Sequence, residues 1–334
     1  MKTLPTDAVV FPRPGAVVLQ KMTMPSPGPG QVRVRTAYST VSAGTEGWVW
    51  RNEFTWSPTR FPCVPGYQRV GTITALGADV QGWRIGDQVM ATTGQWEGPV
   101  VPFWGSHIAE ANTAASELYR LPAGLDPVDA SGAVVAQVGY NAASRVDMKA
   151  GDWVMVYGDG LIGQLAGQAA RARGARVLLA GHRPARLEAA RQWAVEATVN
   201  TRRDDFMAAV RRITGGEVVA AVLDTVQQPE AQRQYLPWLK PGQGQIVYSG
   251  FTPAPTWADM ALLQQRELTT HFVSGWNRPR MEATLALMAQ GKIRLRPLVT
   301  HLVPFAAAPA MYALLETPGQ AFMGITLDWQ GAGS

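Results

Sequence analysis

The chain has 334 residues, 46% of them hydrophobic, a formal net charge of +5 and one cysteine, Cys63. That length predicts two domains, and a lone cysteine excludes an intrachain disulfide framework and a cysteine-built structural zinc site. No apolar run reaches the roughly 18 residues that span a bilayer, Met1 to Val10 has no signal-peptide core, and the arginines (Arg171, Arg173, Arg186, Arg191) are scattered, not gathered into a basic tract. Membrane insertion, export and nucleic-acid binding are therefore not expected, and a cytoplasmic location is.

In chain order, short alternating or β-branched runs come first: Gln31 to Val41, Val70 to Leu76, Gln88 to Ala91 and His107 to Ala111. Pro and Gly clusters such as Pro25 to Gly30 and Gly82 to Asp87 separate them, which predicts an irregular all-β unit. An apolar helix is expected from Val128 to about Val146. Strands are then expected at Trp153 to Tyr157, Arg176 to Ala180, Thr198 to Asn200, Val218 to Asp224, Gly244 to Ser249 and Leu268 to Val273. Helical spacing lies between them, at Gln164 to Gly174, Arg186 to Trp193, Asp204 to Thr214 and Gln228 to Leu236. Such alternation predicts an α/β fold, a parallel sheet covered on both faces. A last helix, Arg280 to Gly291, leads to Ile293 to Val303, which with Thr326 to Trp329 is expected to return as β-structure to the first unit.

The most informative segment is Val154 to Gly163, an apolar strand running into Gly158-Asp159-Gly160-Leu161-Ile162-Gly163. In a Gly-x-Gly-x-x-Gly turn the first glycine makes the bend, the second lets backbone approach a pyrophosphate, and the third lets helix pack on strand. The helix N-terminus adds unpaired N–H groups and a positive dipole end. NAD-specific versions carry a carboxylate at the end of the next strand, for the ribose 2′-hydroxyl. Here that strand ends in Gly181-His182-Arg183-Pro184-Ala185-Arg186, and no carboxylate is expected at the turn. Gly181 leaves room, while His182, Arg183 and Arg186 line the turn with basic groups suited to a 2′-phosphate. NADP(H) is the expected cofactor; a merely solvated basic turn is the alternative.

With these landmarks placed, the chain resembles the medium-chain dehydrogenase/reductase superfamily, which includes zinc alcohol dehydrogenases and quinone oxidoreductases. The resemblance rests on Pro27 to Val32, Ala43-Gly44-Thr45-Glu46, Pro65 to Gly71, Gly86 to Val89, the glycine fingerprint, Leu223 to Val226 and Gly291 to Ile293, in that order. It implies a GroES-like β-barrel catalytic domain over 1–125, completed by 295–334. A Rossmann doubly wound parallel sheet over 126–294 would follow, with the active site in the cleft between the two. It further implies nicotinamide contacts from Asn141 beside Tyr140, from Ser249-Gly250-Phe251 and from Ser274-Gly275. Relatives often dimerise through the last Rossmann strand, here Leu268 to Val273, so a homodimer is expected.

Departures from the family pattern carry the chemistry. Zinc-dependent members have Cys-Gly-Thr-Asp and Gly-His-Glu where this chain has Ala43-Gly44-Thr45-Glu46 and Gly66-Tyr67-Gln68. A methyl group and a phenol thus replace a thiolate and an imidazole, and no metal is expected. Hydrogen-bond or proton donors must then stabilise the charge left by hydride transfer. Tyr67 is the first candidate, or else fills the metal's volume. Gln68 orients substrate or cofactor, or makes a buried structural hydrogen bond; Glu46 relays a proton, or caps the short helix beginning near Thr45.

Twelve tryptophans include Trp48, Trp50 and Trp56 just after Glu46. With Trp276 they are candidates for lining an aromatic substrate pocket, or for packing the core. The Ala-Gly-Thr-Glu and Gly-Tyr-Gln forms are also similar to the branch of bacteriochlorophyllide dehydrogenases. The expectation is a zinc-independent, NADP(H)-dependent oxidoreductase acting on an activated C=C bond or carbonyl of an apolar, ring-bearing small molecule. The rivals are a metal-free secondary-alcohol dehydrogenase of a ring compound and a non-catalytic NADP(H)-binding protein.

Overall fold

A computed structural model describes residues 3–55, 57–250, 252–255, 258–317 and 322–332. The chain divides into two compact units, Met1–Val134 with Val299–Ser334, and Val135–Leu298. Among the described residues no helix is long and apolar enough to cross a membrane.

The strands of the first unit are β1 (Leu4–Val10), β2 (Val18–Met24), β3 (Gln31–Val41), β4 (Cys63–Val64), β5 (Arg69–Leu76), β6 (Gln88–Ala91), β7 (Val101–Pro102), β8 (Glu110–Ala114) and β9 (Leu118–Arg120). Those of the second are β10 (Trp153–Tyr157), β11 (Arg176–Gly181), β12 (Ala197–Asn200), β13 (Ala221–Asp224), β14 (Gln245–Tyr248) and β15 (Thr269–Phe272). The chain then closes in the first unit with β16 (Val299–Pro304) and β17 (Gly324–Asp328). The helices are α1 (Ala43–Arg51), α2 (Pro127–Ala130), α3 (Ala133–Ser144), α4 (Leu161–Ala172), α5 (Pro184–Trp193), α6 (Phe206–Thr214), α7 (Pro229–Tyr235), α8 (Met260–Gln265), α9 (Arg278–Ala289) and α10 (Ala308–Glu316).

In the first unit a seven-stranded sheet runs β16-β17-β3-β5-β6-β9, with β8 on β3, beside the β1-β2 and β4-β7 pairs. Val9, Phe11, Trp50, Phe54, Tyr312 and Trp329 meet in its aromatic core, where Phe11 meets Tyr312 edge-on at 5.0 Å. Arg69 is fully buried there, and its guanidinium donates to Val34 O, Thr36 Oγ1, Thr93 O and Thr113 Oγ1. A buried cation needs such acceptors, which here meet both terminal nitrogens and knit three segments together.

In the second unit the order is β12-β11-β10-β13-β14-β15, and every neighbouring pair is parallel. This is the doubly wound arrangement, whose order reverses between β10 and β13; ligands bind such sheets at the carboxyl ends of the strands flanking that reversal. Strands buried on both faces must be apolar throughout, as Val154, Met155 and Val156 are.

Several elements differ from the sequence reading. The hairpin β1-β2 was not expected, because Val18 to Lys21 are all exposed and carry no alternation of burial. The single helix expected from Val128 to Val146 is two, α2 and α3. Asp126 caps α2 through Val128 N, and Ser131 Oγ donates back to Val128 O, leaving Gly132 as the break. The strand expected at His107 to Ala111 starts three residues late. Its first part pairs instead with β1, Val9 N donating to His107 O and Ala109 N to Asp7 O. Between Ile293 and Val303 only β16 is strand, and α10 lies in a stretch left unassigned.

The fingerprint glycines show where space is short. A Cβ on Gly163 would sit 2.0 Å from Gly158 O, and one on Gly158 2.0 Å from Thr225 Oγ1 at a φ of +123°. Backbone cannot yield as a side chain can, so Gly163→Ala should destabilise the protein by about 2–4 kcal/mol. Thermal unfolding with and without the substitution checks this; an unchanged midpoint would show that α4 packs otherwise.

Candidate active site

In the second unit β10 delivers the chain to Gly158, whose N–H donates to Ala180 O at 2.8 Å. Gly160 is the N-cap of α4, and Leu161 and Ile162 form its half-buried first turn. Unlike its two partners, Gly160 has open space: a Cβ there would meet only Arg186 Nη1, at 4.0 Å. The fold does not require this glycine, whereas a pyrophosphate approaching the α4 amides does.

The turn after β11 corrects the sequence reading. The strand supplies no carboxylate, but Asp159 does, from within the fingerprint. Its Oδ2 accepts from His182 N at 2.7 Å and Arg183 N at 2.8 Å, and its Oδ1 faces Arg183 Nη1 at 3.2 Å and Arg186 Nη1 at 3.7 Å. Burial opposes ionisation of this carboxyl. The two amides and two guanidiniums outweigh it and hold Asp159 below the usual carboxylate range. Burial lowers the pKa of the neighbouring His182, which favours its neutral form. Gly181 is buried and lies directly against Asp159.

The remaining cofactor candidates in this unit are dispersed. Asn141 is buried on α3 and its Oδ1 accepts from Arg145 Nε at 3.3 Å. Ser249 is fully buried after β14, its N–H donating to Asp224 O. Gly250 O accepts from Gln227 Nε2 at 3.0 Å. Ser274 and Gly275 are exposed, Gly275 O accepting from Gln137 Nε2 at 3.3 Å, and Trp276 is half-buried. Phe251 lies outside the described residues.

The first unit gathers Tyr67, Glu46 and three residues the sequence reading missed: His107, Tyr312 and Ser42. Glu46 is fully buried in α1; its Oε1 accepts from Ser42 N at 2.8 Å. Its Oε2 accepts from His107 Nε2 at 2.8 Å and from the Tyr312 hydroxyl. Trp329 Nε1 donates to Ser39 Oγ, which also hydrogen-bonds His107 Nδ1, both at 2.8 Å. The Tyr67 hydroxyl donates to Ser42 Oγ, and its ring meets Trp104 edge-on at 5.0 Å. Burial raises the Tyr67 pKa well above that of a free phenol, with Glu46 acting in the same direction, so the group stays protonated.

Gln68 is fully buried, donating to Thr40 O and accepting from Val134 N, both at 3.1 Å. Both ends of its amide therefore serve the structure of this unit. Trp50 sits in the core near Tyr312, at 6.3 Å between ring centroids, while Trp48 is half-buried against Phe54. Trp56 lies outside the described residues.

A zinc ion does not fit these residues. Position 43 offers only a methyl group, Tyr67 is held as a phenol, and both Glu46 oxygens and both His107 nitrogens are committed to one another and to neighbours. Cys63 is fully buried, and burial pushes its thiol up to about 12. Among the described residues no three His, Cys, Asp or Glu side chains group as metal ligands would.

Residues 28–123 match the alcohol dehydrogenase GroES-like domain family and residues 162–290 the zinc-binding dehydrogenase family. An alcohol dehydrogenase of Cupriavidus necator is 26% identical, over 96% of this chain and 98% of its own length. The 2-desacetyl-2-hydroxyethyl bacteriochlorophyllide A dehydrogenase of Rhodobacter capsulatus is 28% identical, over 98% and 99%. Among solved structures, a protein of Sinorhizobium meliloti 1021 described as a zinc-binding dehydrogenase and bound to NADP superposes with a TM-score of 0.83. It is 20% identical, over 97% of this chain and 99% of its own. With a GroES-like domain and a doubly wound nucleotide-binding sheet, each matched by its own family, the chain belongs to the medium-chain dehydrogenase/reductase superfamily.

Proposed function

We propose that the protein is a zinc-independent, NADP(H)-dependent oxidoreductase acting on an activated C=C bond or carbonyl of an apolar, ring-bearing small molecule. The observation that carries the cofactor reading is the convergence of Arg183 and Arg186 on the turn after β11, beside the open Gly160. A structural neighbour bound to NADP supports it. The names of the relatives from Cupriavidus necator and Rhodobacter capsulatus favour a second reading, oxidation of a secondary alcohol on a ring compound.

A bound nicotinamide dinucleotide supplies or accepts the hydride. The chain's own residues do the rest. Gly158 makes the bend, and Gly160 and the first turn of α4 hold pyrophosphate through backbone N–H groups. Arg183 and Arg186 hold the 2′-phosphate, where planar guanidiniums suit phosphate oxygens. Tyr67 keeps its proton; turning its O–H from Ser42 Oγ to the substrate, with the Ser42 hydroxyl donating to the phenol oxygen in exchange, it offers a hydrogen bond where negative charge develops, taking the part a Lewis acid plays in zinc-bearing relatives. Glu46 and His107 hold the α1 end against Tyr67 through Ser42. In the first unit, half-buried Trp48 is the tryptophan we assign to substrate contact. The edge strand β15, with Phe272 73% exposed and stacked on Tyr248, is the surface we assign to homodimer pairing.

Three measurements test this reading. Arg183→Ala should weaken NADPH about tenfold or more while leaving NADH nearly unchanged, the size expected for one charge-assisted phosphate contact. Equal loss for both nucleotides in fluorescence titrations would remove the phosphate assignment. Elemental analysis of the purified protein should find no stoichiometric zinc, and one tightly held zinc per chain would overturn the metal-free site. Tyr67→Phe should lower kcat by about 10²-fold or more, a typical cost for one oxyanion donor. Stopped-flow absorbance at the NADPH band, with quinones, enones and cyclic alcohols, reads that rate and separates reduction from alcohol oxidation.

A further inference from the structure

Resting on the nucleotide reading above, we infer that Asp159 is a specificity-determining residue. It performs, from inside the glycine fingerprint, the discriminating work that a carboxylate at the end of the second strand performs in NAD-specific sites, and so restrains the preference for NADP(H) that Arg183 and Arg186 create. The argument begins with volume. A Cβ on Gly181 would lie 2.4 Å from Asp159 Cβ and 2.7 Å from its Oδ2. Asp159 therefore fills the space that a side chain at the strand end would occupy, and position 181 is held to glycine by that neighbour.

Hydrogen bonding fixes the carboxylate there. Oδ2 accepts from His182 N and Arg183 N, the amides that begin the turn into α5. Oδ1 faces both guanidiniums, at 3.2 and 3.7 Å. The Asp159 side chain is only 3% exposed, whereas Arg183 is 51% exposed. The negative charge is thus fixed and weakly screened, while one of the two positive charges can swing outward.

Charge then sets the outcome. Two guanidiniums against one carboxylate leave a single net positive charge for a phosphate monoester that carries about −1.5 to −2 at neutral pH. The carboxylate also competes with the phosphate for the same arginine donors and repels it at close range. A 2′-hydroxyl has no charge to repel and can accept or donate beside a carboxylate. Asp159 thereby costs NADP(H) more than NAD(H).

Asp159→Asn keeps the shape and one acceptor for the two amides while removing the charge. Fluorescence titration of the purified full-length protein with NADPH and NADH should show the ratio Kd(NADH)/Kd(NADPH) rising about tenfold or more, chiefly through tighter NADPH. A ratio that falls or stays within about twofold of the parent's overturns the inference. Asp159→Ser, with a shorter acceptor for the same amides, serves where the Asn variant fails to fold and is expected to shift the ratio in the same direction. The unmodified protein gives an independent reading: its own ratio should stay below about thirtyfold, and a larger one overturns the inference without any variant. NADPH binding with an unmoved ratio sinks this inference alone, whereas failure of both nucleotides to bind sinks the nucleotide reading with it.

Discussion

A buried carboxylate organises the first unit. Glu46 is sealed from water, and a charge taken out of water persists only where its oxygens are met by donors. Three donors meet it: the Ser42 amide, the His107 ring and the Tyr312 hydroxyl. They come from the loop before α1, from the segment ahead of β8, and from α10, 266 residues further along the chain. Satisfying this one group thus fixes how the C-terminal return packs on the N-terminal strands. The chain of contacts runs on outward, from His107 to Ser39 and from Ser39 to Trp329.

The second unit handles two carboxylates at adjacent strand ends in opposite ways. Asp224, at the end of β13, accepts from the amides of Val226 and Gln227 and from Tyr235, and has no cation among those partners. Burial pushes its carboxyl up despite those hydrogen bonds. Asp159, just after β10, has cations as well as amides and is held ionised. Asp224 caps its own turn, whereas Asp159 caps the turn after β11 and stays ionised beside two guanidiniums. The electrostatics at the reversal of strand order are therefore uneven, negative at the turn and positive just outside it.

The architecture was legible in the sequence where residues close in the chain carry the signal. β10, the glycine turn and α4 are one local unit, and β10 spans the residues that periodicity assigns to it. Elements whose stability comes from partners were not legible. β2 is exposed over most of its length and exists because β1 pairs with it, and α10 is fixed by contacts such as Tyr312 with Glu46. The same reason hid the chemistry. Asp159 occupies a variable position of the fingerprint, and nothing in the spacing tells that its side chain reaches the turn 23 residues on. His107 is one of four histidines, with no ligand-like neighbour in sequence to distinguish it. Of Glu46's two readings, the cap was the one whose partner, Ser42, lies within one helical turn.

These contacts bear on what Tyr67 can do. Its hydroxyl donates to Ser42 Oγ and also interacts with Thr45. Glu46 meets Ser42 through the backbone amide, a group that does not pass protons as a hydroxyl does. Reprotonation of a Tyr67 phenolate would therefore run through the Ser42 and Thr45 hydroxyls, and Glu46 positions this group without relaying to it. Burial and the nearby Glu46 charge both disfavour the phenolate. A phenol so held is suited to donating a hydrogen bond that strengthens as an oxygen gains negative charge, and poorly suited to giving up its proton outright. The proposed chemistry follows the same line: substrates whose developing charge is delocalised, as in a conjugated enone or quinone, ask the least of the donor, while an isolated alkoxide asks for a cation, and among the described residues no three His, Cys, Asp or Glu side chains group to hold one.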